Sequence, residues 1–130
     1  NLGRTGLAKR RALQTADEVN VIIGLVGDLR GTLVLAMPER TATSVASAMM
    51  GGIPVAAFDE LPKSALCELC NMAAGSSVSR FEGLGVSLNI SPPTLVSGRQ
   101  MIAMVSQVET LVVRFSADQG PLELHIALEM

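Results

Sequence analysis

Hydrophobic positions along this chain alternate between two periods. Val19 to Val26 is a short run rich in Val and Ile that reads as a strand. Gly27-Asp28-Leu29-Arg30-Gly31 supplies a turn, and Thr32 to Met37 a second strand. Gly24, inside the first strand, marks either a bulge or a close backbone approach. The period then lengthens. Pro38 suits the first turn of a helix, and Thr41 to Met50 carries Ala42, Val45, Ala46 and Met49 at helical spacing until Gly51-Gly52 stops it. A second helix starts at Asp59 or Glu60, with Pro62 in its first turn, and runs to Phe81 or Glu82. Gly75-Ser76-Ser77 lowers helix propensity and is the place for a kink.

Beyond it the period returns to two. Val86 to Ile90 is a strand ended by Pro92-Pro93. Met101 to Val105, Thr110 to Phe115 and Leu122 to Leu128 follow, with a turn at Ala117-Asp118-Gln119-Gly120. Residues 1–18 show weak periodicity and mixed charge and read as irregular or partly helical. Hairpins with helices inserted between them predict an α+β fold with a largely antiparallel sheet. No linker, repeat or low-complexity tract divides residues 1–130, so one domain is expected.

The second helix carries the most informative pattern. A helix advances about 100° per residue, so Ser64, Glu68, Asn71 and Gly75 share one stripe, while Leu66, Leu69 and Ala73 point roughly the other way. Such a helix sinks its apolar side into a core and displays an acid and an amide outward. Small residues at both ends of the stripe admit a close neighbour. The pattern suits a surface that acts on a partner, not a pocket that encloses a metabolite.

Composition narrows the classes. Of 130 residues 48% are hydrophobic, yet Phe58, Phe81 and Phe115 are the only aromatics, so packing rests on aliphatic side chains and Met. Met49, Met50 and Met72 are read as core fillers. A net charge of -2 and the lack of Trp and Tyr argue against a nucleic-acid partner. The basic run Lys9-Arg10-Arg11 reads as a solvated terminal segment. The apolar run around Val19 to Val26 is far too short to span a membrane. Two cysteines inside a helical pattern fit a reducing cytoplasm.

Other candidate chemistry has plainer explanations. Cys67 and Cys70 lack the four ligands of structural zinc and lie well inside a helix, unlike a redox pair at a helix start; core packing accounts for them. His125, between Leu124 and Ile126, reads as a half-exposed or hydrogen-bonded strand histidine. Gly3 and Gly6 near Lys9 lack phosphate-loop spacing.

The ordered series Val21-Ile22-Ile23-Gly24-Leu25-Val26-Gly27-Asp28-Leu29-Arg30-Gly31, Ala48-Met49-Met50-Gly51-Gly52, Glu68-Leu69-Cys70-Asn71-Met72-Ala73-Ala74-Gly75 and Ile90-Ser91-Pro92-Pro93-Thr94 resembles the CheX branch of the CheC/CheX/FliY chemotaxis phosphatases. The family signature is Asp or Ser, three residues, Glu, two residues, Asn, and a later proline. Ser64, Glu68 and Asn71 match it, with Pro93 as the proline. The resemblance implies a CheC-like fold with two main helices packed on the sheet. It implies hydrolysis of the aspartyl phosphate of a CheY-like response regulator, with Asn71 holding water, Glu68 meeting the regulator's lysine, and Ser64 and Gly75 shaping the contact. No cofactor is implied for the chain itself, since the regulator carries magnesium. One signature copy implies the single-site CheX type, and with it a homodimer. A helix expected before the first strand is short or missing here, as in a trimmed chain. The rival readings are a docking or scaffold module that binds a regulator or flagellar switch component without catalysis, and a CxxC redox protein.

Overall fold

The computed structural model describes residues 2–10, 13–15, 17–98, 103–106 and 110–129. Strands β1 (Leu2–Arg10), β2 (Leu13–Thr15), β3 (Val19–Gly27) and β4 (Arg30–Met37) precede helices α1 (Glu39–Met49) and α2 (Glu60–Gly83). Strands β5 (Leu88–Ile90), β6 (Thr94–Ser97), β7 (Ala103–Ser106), β8 (Thr110–Ala117) and β9 (Gly120–Glu129) complete the order. The main sheet runs β1-β8-β9-β4-β3-β5 with β6 also on β3, and every pairing is antiparallel. Strands β2 and β7 form a separate two-stranded ribbon.

Alternation in β3 assigns the faces. Val19, Val21 and Ile23 join Met37, Ala42, Leu66, Cys70 and Ala74 in the core beneath the helices. Ile22 packs with Val34 and Ala127 in a second cluster. With Ile22 apolar on the second face and buried Asn20 its polar exception, β3 lacks a clean apolar-polar alternation. The second cluster's neighbourhood also holds polar groups. Arg114 Nε donates to Glu123 Oε2 at 2.8 Å across the β8/β9 register, and buried His125 donates from Nε2 to Glu123 Oε1 at 3.1 Å. Of the two expected alternatives, half-exposed or hydrogen-bonded, the structure shows the second in part: the ring is fully covered and bonded through Nε2, while Nδ1 is buried without a hydrogen-bond partner.

Both expected helices form. Pro38 stands just before α1, and Gly51 and Gly52 end it at φ of 77° and 89°, a conformation glycine adopts without strain. Asp59 precedes α2, and Lys63 N donates to Asp59 O at 3.0 Å, so Pro62 interrupts no helical bond. Gly75-Ser76-Ser77 does not break α2, where Ser77 Oγ donates to Ala73 O at 3.0 Å. At Gly24 the register with β4 is unbroken, and the glycine serves close approach: a Cβ there would lie 3.2 Å from Ser91 Oγ.

Several expectations are corrected. Residues 2–10 are a strand, not an irregular or helical segment; β1 pairs with β8 along the sheet edge, a long-range contact its own sequence does not announce. Strand β6, read as no element, forms by pairing with β3. Met101 and Ile102 lie outside the described residues, as does Arg11.

Candidate functional site

The buried face of α2 is Pro62, Leu66, Cys70 and Ala74, a series at i, i+4 that lies along the sheet-facing side. Leu69 and Ala73 lie on the same inner side, half-buried and exposed respectively. Both line an apolar cavity of about 580 Å³ between the sheet and the inner faces of the helices. Small side chains at 73 and 74 leave this space unfilled.

The opposite face carries the predicted site. Ser64, Glu68 and Asn71 are all exposed, and Gly75 is half-buried. The helix brings these four onto one stripe, as their spacing requires. An ideal Cβ on Gly75 meets nothing within 4 Å, so the ground beside Asn71 is open. Pro93, half-buried, sits in the connection between β5 and β6, two residues after Ser91, which is anchored to Gly24. None of the stripe residues lines the 580 Å³ cavity or the second one of about 630 Å³ beside Glu18, Glu39 and Arg40. The stripe therefore lies on the outer face of α2, outside both cavities, and its acid and amide act on something brought to it.

Two large apolar residues of α2 stand exposed where the hydrophobic pattern alone does not place them. Met72 is 57% exposed, and Leu61 68%, both on the outer side of α2. Met72 and Met49 (37% exposed) correct the reading of these methionines as core fillers. For Met72 the signal was present: four residues after Glu68, it must share that residue's face.

The cysteines behave as packing residues. Burial, with a smaller contribution from Cys67, pushes the Cys70 thiol up to about 12, and burial also raises that of Cys67. Neither is primed as a thiolate nucleophile. Among the described residues no group of three or more His, Cys, Asp or Glu side chains could hold a metal ion. No described helix is long and apolar enough to cross a membrane.

An antiparallel sheet covered on one face by two helices, the longer displaying an acid and an amide, is an α+β fold of the CheC-like class. Residues 19–116 match the family model for chemotaxis phosphatase CheX, and the chain belongs to that family. The CheY-P phosphatase CheX of Thermotoga maritima is 45% identical over 80 residues, 62% of this chain and 52% of that protein. The match thus spans about half the length of this curated relative. A chemotaxis protein CheX from Desulfovibrio desulfuricans superposes with a TM-score of 0.87 at 18% identity, covering 98% of this chain and 85% of that one. The CheX–CheY–BeF3–Mg2+ complex from Borrelia burgdorferi gives a TM-score of 0.72 at 26% identity, covering 98% and 85%.

Proposed function

We propose that this chain hydrolyses the aspartyl phosphate of a CheY-like response regulator, with Asn71 positioning the attacking water. The observation that carries the reading is the joint exposure of Glu68 and Asn71 on the outer stripe of α2, within the segment that matches the family. The named activity of the Thermotoga relative and the CheY bound in the Borrelia complex support it.

The chemistry asks little of the chain. An acyl phosphate is already activated, and the regulator supplies magnesium, as the Borrelia complex suggests. Attack forms a bond between water oxygen and phosphorus and breaks the bond from phosphorus to the aspartyl oxygen. The products are inorganic phosphate, which takes up the water proton, and a free carboxylate. The water must lie in line with the departing oxygen. A carboxamide holds it without adding negative charge beside an anionic phosphoryl group, because its oxygen accepts from water and its NH2 donates. Glu68 docks against a cationic side chain of the regulator, and Ser64 and Gly75 leave room for its backbone.

Following phosphate release from a phosphorylated regulator, with and without the protein, tests this. Wild type shortens the phosphate lifetime, and Asn71→Ala abolishes the effect while unfolding as before. Undiminished activity in Asn71→Ala overturns the role of Asn71. Binding of the regulator with no change in phosphate lifetime leaves the docking-module reading in its place. A homodimer belongs to the same proposal, supported by the resemblance and by an edge strand β1 whose Leu7 is 57% exposed. Light scattering that finds only monomer overturns that part.

A further inference from the structure

We infer that Leu61 and Met72 are apolar anchors that seat the phosphorylated receiver domain on α2, setting its affinity while Glu68 and Asn71 set the chemistry. The inference rests on the phosphatase reading above. Its physical basis is placement. From Leu61 to Glu68 is seven residues and from Glu68 to Met72 four, so at about 100° per residue all three lie within roughly 20° of one line along the helix. At about 1.5 Å per residue, Leu61 stands roughly 10 Å before Glu68, and Met72 roughly 6 Å beyond it.

Their exposure, 68% and 57%, is not forced by the fold. The core beneath α2 is served by the other side of the helix, through Leu66, Cys70 and Ala74. Single exposed apolar residues are ordinary on a surface. Two large ones bracketing Glu68 along one line, with Asn71 about 60° to its side, have the arrangement of an interface centre, where apolar contacts exclude water from polar groups. The stripe is exposed and lines neither of the two large cavities, so its occupant is a folded surface and not an enclosed small ligand. Continuity with Glu68 and Asn71 identifies that occupant as the domain whose phosphoryl group they serve, one with apolar surface on both sides of its phosphorylated aspartate. Met suits one end because its unbranched thioether adapts to an irregular neighbour.

Steady-state kinetics on a phosphorylated regulator, with Leu61→Ser, Met72→Gln and the double variant, tests the inference. KM rises about tenfold for each single variant and further for the pair, with kcat held within about twofold. Leu61→Met and Met72→Leu, which keep the apolar surface, retain the wild-type KM. The substitutions are at exposed positions, so unfolding midpoints stay put and a changed KM reports docking. Unchanged KM, or a fall in kcat alone, overturns the inference. Titration against a regulator loaded with beryllium fluoride separates the two levels. Wild type that binds this complex yet leaves the lifetime of the true phosphorylated regulator unchanged, with variants binding tenfold more weakly, sustains the anchors and removes the phosphatase reading. Equal binding by wild type and variants, or no binding by wild type, removes the anchors.

Discussion

Ser91 and Gly24 bind each other twice: the Gly24 amide donates to Ser91 Oγ at 2.7 Å, and the Ser91 amide donates to the Gly24 carbonyl at 2.9 Å. The pair ties the start of the Pro92-Pro93 segment to the middle of β3, in the same region where β5 and β6 pair with that strand.

Mutations at the two positions are therefore expected to couple. Gly24→Ala places a Cβ 3.2 Å from Ser91 Oγ, tighter than ordinary contact, and weakens the fold in the wild-type background. Ser91→Ala costs about 1 kcal/mol through the lost acceptor. In Ser91→Ala the second substitution becomes neutral or stabilising, because Ala suits a strand better than Gly. A urea-unfolding double-mutant cycle reads the coupling; additive losses contradict the steric argument.

Gly75 trades stability for access. A glycine inside a helix costs up to about 1 kcal/mol relative to alanine, and nothing in the fold lies within 4 Å of the missing Cβ. Gly75→Ala should raise the unfolding midpoint by a free energy of that order. The added methyl stands on the stripe of Asn71, so the same variant should show a higher KM toward the phosphorylated regulator. Greater stability with unaltered kinetics separates Gly75 from the docking surface.

Acid sensitivity is expected to reside partly in Glu123. Burial alone would raise its pKa, but hydrogen bonds from His125 and Arg114 outweigh burial and hold it below the ordinary value. A carboxyl lowered in the native state stabilises the fold above the usual carboxylate range and loses that contribution as pH falls through its native value. Asp17 opposes this, raised first by burial and then by the charge of Glu123. Glu123→Gln should cost about 1 kcal/mol near neutral pH and flatten the decline of stability in acid. A variant curve parallel to wild type in acid refutes the assignment.

Cys70, pushed to about 12 by burial and then by Cys67, should resist alkylation in the native protein. Near pH 8 its thiolate population falls on the order of 10³-fold below that of a free cysteine. Iodoacetamide labelling followed by mass spectrometry should find Cys67 modified first and Cys70 protected until denaturant is added. Prompt labelling of Cys70 would restore the redox reading.

Much of the site was legible because a helix converts spacing into geometry. Ser64, Glu68, Asn71 and Gly75 had to share a face once residues 60–83 were helical, and Pro62, Cys67 and Cys70 needed no further information. The side-chain chemistry of methionine alone predicts core filling at Met72, whereas its place four residues after Glu68 sets it on the outer face. Ala73 faces inward as its spacing requires, yet stays exposed because the cavity between sheet and helices leaves it uncovered.

Local signals along the chain specify the two helices, the hairpins β3/β4 and β8/β9, and the outward stripe on α2, since periodicity, prolines and glycines act within a few residues. Tertiary structure decides that residues 2–10 extend beside β8, that residues 94–97 become a strand on β3, and that His125 is enclosed with Glu123. These outcomes depend on partners distant in sequence. A strand's hydrogen bonds are completed only by its neighbour, whereas a helix completes its own.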